Sequence, residues 1–110
     1  MMQIASVVVL ATLLATVLGV PGEITFFEKP NQMGSTWVYR PPGYNDAPSP
    51  LKHNAYSFET TADITVYAIS IQTGGSCLYN EIRPNDYDNN WTWATKFDGV
   101  SDSKMDCEPA

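Results

Sequence analysis

Glu23-Ile-Thr-Phe-Phe-Glu28 and Ser35-Thr-Trp-Val-Tyr-Arg40, joined through Lys29-Pro30-Asn31 and Gly34, decide the fold of this chain. Both runs are rich in β-branched and aromatic residues, which fit a pleated, half-buried surface. Trp37 and Tyr39 share one face of the second run, because side chains alternate along a strand. The proline, asparagine and glycine between the runs are turn residues, so the pair predicts a β-hairpin.

Downstream of that hairpin, strand signals alternate with turn signals. Residues 41–50, PPGYNDAPSP, hold four prolines and predict a loop. Tyr56 and Phe58 alternate with polar neighbours, as a half-buried strand requires. Ile64-Thr-Val-Tyr-Ala-Ile-Ser-Ile71 is dense in β-branched residues and predicts a central strand. Thr73-Gly-Gly75 is a turn, Cys77-Leu-Tyr79 opens another strand, and 83–90 (RPNDYDNN) is a second polar loop. Trp91-Thr-Trp-Ala-Thr95 alternates again and predicts a further strand. The acidic tail from Ser101 to Ala110 is expected to be tied down by Cys107 alone. Without any amphipathic helix, these short strands predict an all-β sandwich or small barrel.

The start of the chain reads differently. Val7 to Val20 is an uncharged apolar run, too short for a comfortable span of about 20 residues. It ends in small residues, with Val17 and Gly19 at the −3 and −1 positions of a signal-peptidase site. The expectation is a signal peptide over 1–19, a single mature domain over 20–110, and a secreted, extracellular protein. An uncleaved anchor is the alternative. Cys77 and Cys107 are the only cysteines. In an oxidising compartment they predict one disulfide, which would stabilise so small a domain by roughly 3.5 kcal/mol through the loop it closes. Two free thiols or a metal pair are the other readings. The net charge of −6 opposes binding to nucleic acid or to an anionic lipid surface.

Ile24-Thr-Phe-Phe-Glu-Lys-Pro-Asn-Gln-Met-Gly34 resembles the opening of a βγ-crystallin Greek-key motif, with Phe27 as its aromatic and Gly34 as the glycine seven residues later. Ile69-Ser-Ile-Gln-Thr-Gly-Gly-Ser-Cys-Leu-Tyr-Asn-Glu81 is similar to the close of one key and the opening of the next, with Tyr79 and Glu81 in the aromatic and acidic places. Asp86 stands where that second key would have its glycine. The resemblance implies a small Greek-key β-sandwich and a non-catalytic binding or structural module. It also implies calcium as a candidate ligand. Asp88-Asn89-Asn90-Trp91-Thr92 and Asn45-Asp46-Ala47-Pro48-Ser49 approach the family's calcium loop, which makes Asp88, Asn89, Thr92, Asn45, Asp46 and Ser49 the candidate ligands. Oxygen donors of these types suit that cation.

Other sites compete. Asn90-Trp91-Thr92 is an N-glycosylation sequon, and a sugar on Asn90 would exclude a tight metal site there. Tyr44, Tyr87 and Trp91 lie in polar loops and read as candidate exposed aromatics of a binding face, against simple packing over the loop. His53 is the only histidine; with Glu59 and Arg83 it could serve a small hydrolase or ribonuclease, against the plainer reading of a solvated loop residue. Glu81, Asp86 and Asp88 could pair as in a glycosidase, against the plainer reading of a solvated loop in a domain with little room for such a cleft. The leading expectation is a secreted, crystallin-like binding or effector-like module, monomeric or weakly associating. Its recognition loops are 41–55 and 83–92, and its partner is an unidentified extracellular molecule. A protease-inhibitor-like module presenting 41–50 and an enzyme built on His53 are the alternatives.

Overall fold

The computed structural model describes residues 22–110; the expected leader over 1–19 lies outside them. The described residues form strands and turns without a helix, and no helix among them is long and apolar enough to cross a membrane. In chain order the strands are β1 (Ile24–Lys29), β2 (Met33–Tyr39), β3 (Asn45–Asp46), β4 (Ser57–Thr60), β5 (Val66–Ile71), β6 (Cys77–Ile82), β7 (Tyr87–Asp88), β8 (Gly99–Ser101) and β9 (Glu108–Pro109).

Two sheets pack face to face, one ordered β2-β1-β4-β7 and the other β3-β8-β5-β6-β9. The order contains an internal repeat. In β1–β4, the first strand pairs with the second and the fourth, and the third crosses to the other sheet. The run β5–β8 repeats that plan: β5 pairs with β6 and β8, while β7 crosses over to β4. The molecule is therefore a Greek-key β-sandwich in which each key lends its third strand to its neighbour. Gly99 makes one of these exchanges possible, since a Cβ there would stand 2.5 Å from both the Asn45 carbonyl and the Tyr44 hydroxyl.

The alternation expected of the first hairpin fills the core. Ile24 and Phe26 point inward from β1, which pairs with β2 in the register Ile24↔Tyr39 and Phe26↔Trp37. The Phe26 ring lies 4.6 Å from Phe97, 5.8 Å from both Trp37 and Trp91, and 5.9 Å from Phe58. Each such pair adds about 1 kcal/mol beyond its area burial. Val66, Ala68 and Ile69 of β5 are fully buried, as a strand flanked on both sides requires.

Four expectations change. The second key opens with β5, not at Tyr79, because the buried run Val66–Ser70 has to sit between two neighbours, and Tyr79 falls in the hairpin's outer strand, β6. The strand expected over 91–95 is a set of turns, closed by Lys96 N–H donating to the Trp93 carbonyl. Trp91 is only 5% exposed and belongs to the aromatic core rather than to a binding face; its alternation with Trp93 comes from a turn. Finally, the tail is held by more than Cys107. Cys77 and Cys107 form the disulfide, β9 pairs in parallel with β6, and Ala110 N–H donates to the Tyr79 carbonyl.

Tyr39 is fully buried, and its hydroxyl donates to the Gly43 carbonyl at 2.6 Å. Burial, with a smaller contribution from the Asp102 charge, pushes its phenol up to about 12. The folded state thus holds this proton more tightly than the unfolded chain, whose tyrosines titrate near 10. The associated stability is fully present below that pH and is lost as the pH rises through about 12. Urea midpoints are expected to fall over this alkaline window. Tyr39→Phe should lower the neutral-pH stability by about 1 kcal/mol and flatten the alkaline decline, leaving the share of Tyr44, whose phenol is also raised, chiefly by burial.

Candidate functional site

The tip of the β1–β2 hairpin is bent back over its own sheet. Register slips between Phe27 and Lys29, and Asn31 and Gln32 both take left-handed backbone angles, φ 62° and 57°. Such angles cost on the order of 1–3 kcal/mol each for residues other than glycine and persist only when the surroundings enforce them. Here they do. The buried Ser57 hydroxyl donates to the Lys29 carbonyl at 2.6 Å and accepts the Gln32 N–H at 2.9 Å. The Gln32 carboxamide reaches the carbonyls of Phe58 and Asp88, and Asn31 N–H donates to the Asn89 carbonyl. Gly34 completes the fold-back with φ 85°, and a Cβ there would press on Lys29 Cγ at 3.1 Å.

Bending the tip opens a cleft of about 420 Å³ lined by Glu28, Lys29, Pro30, Asn54, Tyr56 and Asn90. Its walls come from three distant segments joined by main-chain bonds: Tyr56 N–H donates to the Phe27 carbonyl and Trp91 N–H to the Tyr56 carbonyl, at 2.9 and 2.8 Å. Asn54 Nδ2 donates to Glu28 Oε2 at 3.4 Å. The lining offers two carboxamides, a carboxylate, an ammonium group and a phenol beside a proline ring. That set donates and accepts hydrogen bonds in comparable measure.

A second polar cluster joins the two keys elsewhere. Lys52 Nζ meets Asp46 Oδ2 at 2.8 Å, and the Tyr44 hydroxyl donates to Asp46 Oδ1. The bond from Lys52, helped by that from Tyr44, holds the Asp46 carboxyl below its usual range. His53, another left-handed residue (φ 60°), places Nε2 2.6 Å from Asp98 Oδ1. The Asp98 side chain is 8% exposed and that of His53 57%. Asp98 Oδ2 accepts the Ile71 N–H, its main chain bonds Ile69 and Ala47, and His53 N–H donates to the Phe97 carbonyl. Asp98 therefore joins β5, the 47–53 turns and β8 at one point, with the exposed imidazole as its outermost partner.

The sequence-predicted residues fall as follows. His53 meets Asp98, and among the described residues it shares no hydrogen bond or ion pair with Glu59 or Arg83. Asn45 and Asp46 form β3, with the Asp46 carboxylate occupied by Lys52 and Tyr44; Ser49 is exposed in the following turn. Asp88 Oδ1 accepts the Asn90 N–H, the Asn89 carbonyl accepts Asn31, and Thr92 is exposed. No cluster of three or more His, Cys, Asp or Glu able to hold a metal occurs among the described residues. Asp86 bonds the Tyr87 N–H with its carboxylate and Thr60 with its carbonyl. Tyr87 is 64% exposed, whereas Tyr44 is half-buried. Asn90 is exposed at the cleft. Within 41–50, Ala47 is buried and β3 pairs with β8, so this loop is pinned at its centre. The sequence reading did not single out Gln32, Ser57 or Asp98; only Gln32 lies beside a local signal, the Pro30-Asn31 turn.

Neither a protein-family model nor a curated protein matches the chain.

Ser57→Ala removes both hydrogen bonds that clamp the tip and leaves a part-buried carbonyl and N–H without partners. A loss of about 2 kcal/mol is expected, read as a fall of roughly 10 °C in the thermal midpoint of a domain this size. Amide exchange at Gln32 should accelerate more than exchange in β5. Asp98→Ala should cost a similar amount by orphaning the Ile71 N–H, and His53→Ala clearly less, because its ring is largely in solvent.

Proposed function

We propose that this chain is a secreted, non-catalytic binding module of the crystallin type, and that the cleft between residues 28–30, 54–56 and Asn90 is its recognition site. The ligand we assign to it is a short saccharide. One observation carries the reading: three segments far apart in sequence converge on one concave site whose walls are cross-linked by main-chain hydrogen bonds. A site fixed in advance loses little conformational entropy on binding. Paired carboxamides, a carboxylate and an aromatic ring suit a polyhydroxylated molecule, whose hydroxyls both donate and accept. The cleft draws on the ends of both loops expected to carry recognition, 41–55 and 83–92. The disulfide is compatible with an oxidising extracellular setting.

We propose calcium as an accessory ligand here rather than at the Asp88 or Asp46 loops, in competition with the Lys29 ammonium and the hydrogen bonds that Glu28 accepts from Asn54 and Ser35. The Glu28 carboxylate and the carboxamide oxygens of Asn54 and Asn90 line one cleft, and calcium takes oxygen donors. A second reading, an enzyme using His53, has its own support in the 2.6 Å bond to a nearly buried carboxylate, an arrangement that orients an imidazole for proton transfer.

The measurement is a thermal melt, followed by tryptophan fluorescence, against a panel of oligosaccharides in millimolar calcium and in chelator. The non-glycosylated oxidised protein is used. A saccharide at a hundredfold excess over its Kd should raise stability by about 2.7 kcal/mol, a shift on the order of 10 °C. Asn54→Ala and Tyr56→Ala should abolish that shift while changing the ligand-free midpoint little. If no saccharide moves the midpoint with or without calcium, the reading fails. A shift with calcium alone would keep the cleft as a cation site and remove the sugar. Hydrolysis of any panel member that is lost in His53→Ala would favour the second reading.

A further inference from the structure

The two keys differ in how their outer strands end. In the second key, β6 is not an edge. β9 lies along it in the register Leu78↔Glu108 and Tyr79↔Pro109, anchored by the disulfide next to it. The corresponding strand of the first key is β2, and it is the outermost strand of its sheet. Among the described residues nothing pairs with its outer side. The other sheet edges, β3, β7 and β9, are only two residues long. β2 spans seven, MGSTWVY.

Protein edges are commonly blunted by lysine, proline, an inward charge or a covering segment. β2 has no lysine, proline or charge within its length, and the bulge and left-handed Gly34 of the fold-back bend only its first residues, Met33 and Gly34, away. Met33 to Thr36 are exposed, and Met33 shows 61% of its surface. The internal repeat states what such an edge accepts, since its counterpart β6 already holds an extended strand. Charge then selects the strand. The chain carries −6 overall, yet this stretch carries no charged side chain, so it is where two copies can approach without opposing like charges.

We propose that two copies of this chain associate through β2, paired antiparallel about a two-fold axis at Thr36, so that their β2-β1-β4-β7 sheets run on as one. Thr36 then lies opposite Thr36 of the second copy and Ser35 opposite Trp37, and the fold-back at Gly34 ends the pairing on either side. The contact is isologous, as a two-fold dimer demands. It is also self-limiting, because the remaining edges are too short to propagate it. The acidic bodies repel at a distance, so association strengthens as salt screens them.

Sedimentation of the oxidised protein over a concentration series, at low and high salt, tests this. A monomer–dimer equilibrium shifting toward dimer with both concentration and salt is expected. Thr36→Lys and Thr36→Glu each put like charges face to face on the axis and should each be monomeric, with thermal midpoints close to the parent because position 36 is exposed. An equimolar mixture of the two should recover a one-to-one heterodimer, which only a register with position 36 opposite itself allows. A parent protein that stays monomeric up to about 1 mM overturns the proposal; this is also the outcome if another segment or partner covers the edge. A dimer unaffected by either charge variant overturns it as well.

Discussion

The ring of Phe26 is the contact on which the rest of this molecule depends. Trp37 and Phe58, which flank it, come from the first key; Trp91 and Phe97 come from the connection between β7 and β8 in the second. A single side chain from β1 thus joins two keys that share few strands. Truncating such a ring would cost about 3–5 kcal/mol, a large part of the 5–15 kcal/mol typical of a whole domain. The functional features hang on its neighbours. Asn90 of the cleft precedes Trp91, and Asp98, which holds His53, follows Phe97.

With the core fixed, the backbone near the cleft can carry strain. Asn31, Gln32 and His53 are all left-handed, and all lie at or next to segments that line or border the cleft. In isolation such a turn would relax. It is retained because Ser57, Phe58, Asp88 and Asn89 supply its hydrogen-bond partners from strands the aromatic core has already positioned. Order therefore flows from the core to β4 and β7, then to the hairpin tip, and last to the cleft.

What could be read from the sequence follows the range of the forces involved. The β1–β2 hairpin was legible because its signals, alternation and a Pro-Asn turn, lie within a few residues of each other. The disulfide was legible because two cysteines allow one pairing. β5 was legible as a buried strand, but its place as the opening of the second key was not. Its partners β6 and β8 follow from sheet order, and the Gly74-Gly75 turn with Tyr79 beyond it imitates a new beginning. Trp91 and Trp93 imitated a strand because a tight turn and a strand can both send residues i and i+2 to one side. Asp98 is 45 residues from His53, and Gln32 is 56 from Asp88; no local pattern encodes such pairs.

The near-symmetry of the fold makes its asymmetry informative. If the topology alone created the cleft, the second hairpin would carry one too. Its turn, Thr73–Ser76, is instead exposed and closed on itself by Gln72 N–H to the Ser76 carbonyl and Gly75 N–H to the Gln72 carbonyl. The buried serines of the two closing strands are bonded differently. Ser57 in β4 bonds the first hairpin's tip, whereas Ser101 in β8 accepts the N–H of Ser103 and so serves its own turn. The second tip is tied instead where Asp98 Oδ2 accepts the Ile71 N–H, and it closes through Gly74 and Gly75, both at positive φ. The Ser57 hydroxyl, placed on the strand beside β1, thus ties a bent tip to the sheet, and the cleft lies beside that tip.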